Sequence, residues 1–185
     1  FWAHGNLPAA RNLAASQGLE AARTLLKLQL TTLPPALYAN DSSVTIRAFR
    51  EDDVAAILDI NRDAFSSHPE QGAMDRADFD ARRHQDWFRP EGLFVAESNE
   101  KIIGFHWTKI EGATGEVYVV GVHPEAHGQG VGTALTEHGL SYLAEAKVSA
   151  IALYVEGENH AALAVYRRLG FTEVNCDVLY RATGQ

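Results

Sequence analysis

Apolar and polar residues alternate from Val44 to Phe49 (VTIRAF), the spacing of a strand with one buried face. At EDDVAAILDINRDAF (51–65) the spacing turns helical, with acidic residues in the first turn, where they suit the helix dipole. RADFDARRHQDW (76–87) predicts a second helix. GLFVAES (92–98) and KIIGFHWTKI (101–110) read as a hairpin turning at Asn99-Glu100, and GEVYVVGV (115–122) as a third strand. A glycine-rich segment follows, then a helix to about Ala146. AIALYVEG (150–157) has the character of a buried strand. NHAALAVYRRLG (159–170) is a short helix stopped by Gly170, and FTEVNCDVLYRA (171–182) a closing strand. The order β-α-α-β-β-β-α-β-α-β predicts three antiparallel strands and then a βα crossover unit. That is a mixed, mainly antiparallel α/β sheet flanked by helices.

The clearest break is TTLPPALYANDSS (31–43), rich in turn formers, and 34–43 is assigned as a linker. The segment before it echoes the end of the chain. At an offset of 152 residues, Gly5, Ala9, Ala10 and Gly18 fall on Gly157, Ala161, Ala162 and Gly170. The shared strand, short helix, glycine, strand order is either a true repeat or what any small βαβ unit looks like. Residues 1–33 are taken as the tail of a preceding related domain, and 44–185 as the main domain. At that offset Leu7 stands for Asn159 and Ala14 for Tyr166. The opening FWAHG lacks an initiating Met and reads as cut from something longer.

Composition narrows the function classes. The formal charge is −8 and no Lys/Arg stripe stands out, so nucleic acid is not an expected partner. No apolar run approaches eighteen residues and no signal peptide is visible, so neither a membrane span nor export is expected. The single cysteine, Cys176, excludes a disulfide framework, suits a reducing cytoplasmic setting and is expected in the core. Without clustered cysteines or an H-x-x-x-H pair on a predicted helix, no metal is expected.

The segment GVHPEAHGQGVGTAL (121–135) places four glycines, Gly121, Gly128, Gly130 and Gly132, ahead of a helix. Backbone amides at a helix start attract anions, and glycines let an anion approach them. The P-loop signature is absent, and the spacing is not G-x-G-x-x-G. A glycine-rich turn without a ligand is the plainer alternative.

VYVVGVHPEAHGQGVGTAL resembles the acyl-CoA-binding segment of the GNAT acetyltransferase superfamily, [QR]-x-x-G-x-[GA], here His127, Gly128, Gln129, Gly130, Val131 and Gly132. His127 departs from the usual Gln or Arg. The family's second signature matches LYVEGENHAALAVYRRLGF at Asn159, Ala162, Tyr166, Gly170 and Phe171. The resemblance covers roughly Val44 to Tyr180. It implies a cleft where two central strands splay, the family's fourth and fifth, and acetyl-CoA as co-substrate. Backbone at Val120 and Val122 would meet the pantetheine and amides from Gln129 to Gly132 (Gln129, Gly130, Val131, Gly132) the pyrophosphate, with Gly121, His127 and Gly128 also counted as cofactor-binding. Asn159 and Ala162 would touch the cofactor.

Three stretches, HPEQG (68–72), GFHWTK (104–109) and GEVYVVGV, resemble the C-terminal domain of the mycothiol synthase family. That family has two tandem GNAT domains, the second active, and acetylates the cysteinyl amine of a cysteine–glucosamine–inositol pseudodisaccharide. The resemblance implies a small-molecule amine as acceptor. It makes residues 1–33 the end of a degenerate GNAT domain, and an N-terminal GNAT domain of the same full-length chain a partner.

Acetyl transfer to an amine needs a base for the ammonium, donors for the developing oxyanion and an acid for the thiolate. Glu116 is the candidate base. By strand parity it shares a face with Tyr118, Val120 and Val122. Residues alone explain it equally as an exposed strand end. Tyr166, two helical turns after Asn159, is the candidate acid, with core packing as its alternative. Asn159 also suits a helix N-cap. Trp107 and Lys109 share a face and are candidate substrate contacts, with His68 and Glu70; core packing and a solvated surface are their alternatives. A GNAT enzyme for another amine and a non-catalytic acyl-CoA-binding module both remain open.

Overall fold

The computed structural model describes residues 1–33, 44–66 and 71–182. The expected linker, 34–43, lies outside them. In chain order the elements are β1 (Trp2–Ala3), α1 (Pro8–Ser16), β2 (Leu19–Leu30), β3 (Thr45–Ala48), α2 (Val54–Ala64), α3 (Arg76–Arg83), β4 (Leu93–Ser98), β5 (Lys101–Glu111), β6 (Thr114–Val122), α4 (Val131–Glu145), β7 (Ala150–Glu156), α5 (His160–Arg168) and β8 (Thr172–Ala182). The class is the expected one, mixed α/β and mainly antiparallel with flanking helices. Two compact units form: Leu33–Ile151, and Phe1–Thr32 together with Ala152–Gln185.

In the unit of residues 33–151 the strands run β6-β5-β4-β3, all antiparallel. Asn99 and Glu100 make the β4/β5 turn with φ of 49° and 63°, the left-handed pair a two-residue hairpin needs. One sheet face packs α2 and α3 through Ile57, Phe79, Phe105 and Trp107. The other packs α4 through Phe94, Ala96, Val131 and Leu135. Helix α3 begins on a reciprocal cap, Asp75 Oδ1 accepting from the Asp78 amide at 2.9 Å and Asp78 Oδ2 from the Asp75 amide at 3.3 Å. It stops at Arg83, short of the expected Trp87, and Trp87 and Phe88 both turn onto the core. The Arg47 guanidinium joins β3 to the start of α2 and to β4. It donates to Asp53 at 2.7 and 2.9 Å and to Glu97 at 2.9 Å, and it holds the Asp53 carboxyl below its ordinary range.

Strand β6 carries an irregularity that decides where its side chains go. Trp107 pairs with Val119 but Thr108 with Val117, so Tyr118 is an extra residue, a β-bulge. Tyr118 and Val119 both pack on the α2/α3 core, while Val120 and Val122 pack on the α4 side.

In the other unit the order is β1-β8-β2-β7. β2 pairs antiparallel with β8 from Leu19↔Ala182 to Gln29↔Thr172. Residues 1–32 therefore share their sheet with the last strand. The 152-residue echo has a geometric counterpart here. Shifted by 152, α1 (8–16) falls on α5 (160–168), and β2 (19–30) on 171–182 against β8 at 172–182. The ladder skips Ala22 on one strand and Val174 on the other, again 152 apart. Cys176, expected in the core, is partly exposed on β8.

Candidate active site

The glycine segment takes the shape that its composition predicts. Gly128 and Gly130 have φ of 76° and 79°, a region L side chains rarely adopt, and Gly130 is the N-cap of α4. A Cβ at either would meet nothing within 4 Å. Backbone angle rather than crowding therefore selects glycine, and the space before the loop is open. The first i→i−4 bond of α4 runs from the Ala134 amide to the Gly130 carbonyl, so the amides of Val131 and Gly132 come before the helix's own acceptors begin. Such a start presents partial positive charge and suits a phosphate. The loop closes on itself: His127 Nε2–H donates to the Val122 carbonyl at 3.0 Å, and Gln129 Nε2 to the Glu125 carbonyl at 2.9 Å. His127, where the family usually has Gln or Arg, ties the loop to the end of β6. The Val131 side chain is buried in the α4 core, leaving only its backbone for a ligand. Gly121 is required by packing, since a Cβ there would lie 2.5 Å from Phe105.

Glu116 lies on the sheet face opposite to Val120 and Val122, because the bulge at Tyr118 breaks the parity that placed them together. Gly115 confirms the direction: its Cβ would point at Leu143 of α4, so the next residue points the other way. Glu116 is directly opposite Lys109 across the β5/β6 ladder. The Lys109 ammonium lies 5.3 Å from the Trp87 ring centre and 2.9 Å from the Glu111 carboxylate. Burial pulls its pKa down, yet the bond to Glu111 and the charge of Glu116 leave it raised overall. Trp87 in turn packs edge-on against Tyr118 at 5.0 Å. The structure thus assembles Glu116, Lys109, Trp87 and Tyr118, two acid–base groups with two rings. Trp87 and Tyr118 escaped sequence reasoning because an aromatic residue beside a core strand reads as packing.

Trp107 shares the face of Lys109 but is fully buried among Phe79, Trp87, Phe88 and Tyr118. No ring face is left open for a substrate, and packing accounts for it. His68 and Glu70 lie outside the described residues. His106, fully buried on the α4 side, donates from Nδ1 to the Leu135 carbonyl at 2.8 Å. Burial depresses its pKa to about 4. Gly139 makes room for it: a Cβ there would fall 2.1 Å from the imidazole. Nothing local in the sequence joins a strand histidine to a helix glycine.

In the other unit, Asn159 caps α5, its Oδ1 accepting from the Ala162 amide at 3.1 Å. The Tyr166 ring packs against Phe171 at 5.9 Å, and burial pushes its phenol up to about 12. Arg167 and Arg168 are exposed. Among the described residues no group of three or more His, Cys, Asp or Glu side chains is placed to hold a metal. No described helix is long and apolar enough to cross a membrane.

A glycine loop suited to an anion at the start of a helix, beside a mainly antiparallel sheet, is the arrangement that the GNAT resemblance implied. The chain belongs to the acetyltransferase (GNAT) family, whose model matches residues 54–171. A mycothiol acetyltransferase of Streptomyces griseus is 47% identical over 185 residues, spanning 97% of this chain and 60% of that protein. One from Mycolicibacterium gilvum is 48% identical over 191 residues, spanning 98% and 63%. The chain thus spans about three fifths of the length of these relatives. Among solved structures, a GCN5-related N-acetyltransferase from Sphaerobacter thermophilus superposes with a TM-score of 0.79 at 22% identity, over 97% of this chain and 57% of that one. The PaiA N-acetyltransferase of Thermoplasma acidophilum, solved with coenzyme A, gives 0.57 at 16%, over 75% and 98%. At these identities the structural likeness is one of fold.

Proposed function

We propose that this chain is the acetyl-transferring part of a mycothiol acetyltransferase. It moves acetyl from acetyl-CoA directly to the cysteinyl amine of a cysteine–glucosamine–inositol acceptor, the last step of mycothiol biosynthesis, in the cytoplasm. The observation that carries the reading is the open left-handed loop at Gly128 and Gly130 running into α4. The name of the relatives, mycothiol acetyltransferase, supports an acceptor of mycothiol chemistry. Residues 1–33 belong on this reading to the end of a degenerate GNAT domain, 34–43 is a linker, and an N-terminal GNAT domain completes the full-length protein.

The amides of Gln129 to Gly132 take the pyrophosphate, and backbone at Val120 to Val122 takes the pantetheine, with an amide near Val120 toward the thioester oxygen. Asn159 and Ala162 add contacts from α5. Glu116 removes a proton from the acceptor ammonium, freeing the lone pair. Lys109, with Trp87 beside it, holds acceptor hydroxyls. Tyr166 gives its phenolic proton to the sulfur as the C–S bond breaks. A phenol raised to about 12 holds that proton throughout the neutral range.

An acetyl-CoA consumption assay over an amine panel, run on this chain and on the full-length protein, tests the reading. The cysteinyl-glucosaminyl-inositol is expected to give the highest kcat/KM; equal turnover of a polyamine or a peptide N-terminus would overturn the acceptor assignment. Glu116→Gln is expected to flatten the acidic limb of the pH–rate profile, and an unchanged limb would remove Glu116 as base.

A further inference from the structure

The strands β1-β8-β2-β7 read the same from both ends once the 152-residue offset is applied: first strand, last strand, last strand, first strand. Where the two last strands meet, the pairs are Arg23↔Leu179, Thr24↔Val178, Leu25↔Asp177, Leu26↔Cys176 and Lys27↔Asn175. Subtracting 152 from the second member of each gives 27, 26, 25, 24 and 23. The backbone pairing is therefore that of a strand with its own equivalent, centred on residue 25, and the bulges at Ala22 and Val174 obey the same relation. Only the side chains break it, most sharply at the centre, where Leu25 faces Asp177.

A seam with this geometry also fits two copies of one strand. If β8 met β8 of a second copy in the same register, Asp177 would face Asp177. If β2 met β2, Arg23 would face Lys27 on both sides of the centre. Like charges directly opposite one another destabilise an antiparallel pair. The pairing in the chain has neither conflict, since Arg23 faces Leu179 and Lys27 faces Asn175. Asp177 also accepts the Gly5 amide at 2.8 Å and bonds the His4 ring at 3.0 Å, partners from the turn after β1.

We propose that Arg23, Lys27 and Asp177 form a charge code for this seam. It admits β2 beside β8 and excludes a second copy of the chain that would pair like strand with like. β8 lies between β1 and β2, so a second copy could take the place of β2 only during refolding, and removing the central charge makes that exchange easier. This inference is independent of the acetyl-transfer reading.

The test uses the 185-residue chain, unfolded, refolded at rising concentration and examined by sedimentation. Asp177→Asn keeps an acceptor oxygen for Gly5 but removes the repulsion. Dimer is expected at a concentration about fivefold below that of the parent, the upper range for one like-charge pair. A second arm stays within the monomer. Leu25→Asp sets like charges across the seam and should lower the denaturation midpoint, and adding Asp177→Asn should recover the part of the loss that comes from repulsion. The proposal is overturned if Asp177→Asn dimerises no more readily than the parent, or if the two substitutions are merely additive in stability.

Discussion

Helices α1 and α5 are the same helix in two settings. Each follows a short first strand, ends before a glycine of positive φ (Gly18 at 62°, Gly170 at 93°), and leads into a long strand with a bulge at the equivalent place. What differs is the chemistry. Asn159 caps α5 through its side chain, while Leu7 offers α1 no side-chain cap. Tyr166 carries a phenol, and Ala14 is a buried methyl group. The backbone plan is held by a glycine stop, a small apolar helix face and a bulge. None of these needs the amide or the phenol, so the fold persists where Leu7 and Ala14 stand in their places.

The strongest way to break the comparison is Tyr166→Phe. It should lower kcat by about a hundredfold or more, the range for a lost general acid, with little change in the KM for acetyl-CoA. Unchanged turnover would put α5 on the same footing as α1. The next effect lies in the other compact unit and has no counterpart in the repeat. His106 is held near 4 when folded, while the unfolded chain binds its proton from about 6.5 downward. Its contribution is therefore complete above pH 6.5 and lost as pH falls toward 4, by about 3 kcal/mol at most. Denaturant titrations at pH 7 and 4.5 measure it, and equal stabilities would refute the burial account.

Two smaller tests act on the repeat itself. Gly18→Ala and Gly170→Ala each force a left-handed alanine and should cost about 1–2 kcal/mol. Gly170→Ala should cost more, because its Cβ would also press on Leu30 at 3.3 Å, whereas nothing lies within 4 Å at Gly18. Calorimetric midpoints will rank them. Least of all, Asn159→Ala should lose about 1 kcal/mol of cap, and Leu7→Asn should gain a comparable or smaller amount at the equivalent position. No gain there would mean that the turn before α1 cannot present a cap.

These contrasts also show why part of the molecule was legible in sequence. Residues 92–122 declared their strands because hairpin partners are neighbours in the chain and alternate cleanly. Gly128 and Gly130 declared their loop because positive φ leaves few other residues available. The bulge at Tyr118 was hidden, because Val-Tyr-Val-Val keeps a strand-like composition with or without an extra residue. Counting by twos across it put Glu116 on the wrong face. Trp107 was hidden for another reason: a tryptophan beside a lysine looks the same in sequence whether its ring is open or enclosed. The fit of His106 against Gly139 depends on where α4 lands on the sheet, which no local pattern encodes.

The doubled step in β6 sets how a change of length would be felt. Loss of Tyr118 would leave the cross-strand pairs as they are, Trp107 with Val119, Thr108 with Val117 and Lys109 with Glu116, so the carboxylate would keep its place across from the ammonium. The cost would fall on the ring that packs edge-on against Trp87, and so on the aromatic wall beside that pair rather than on the pair itself.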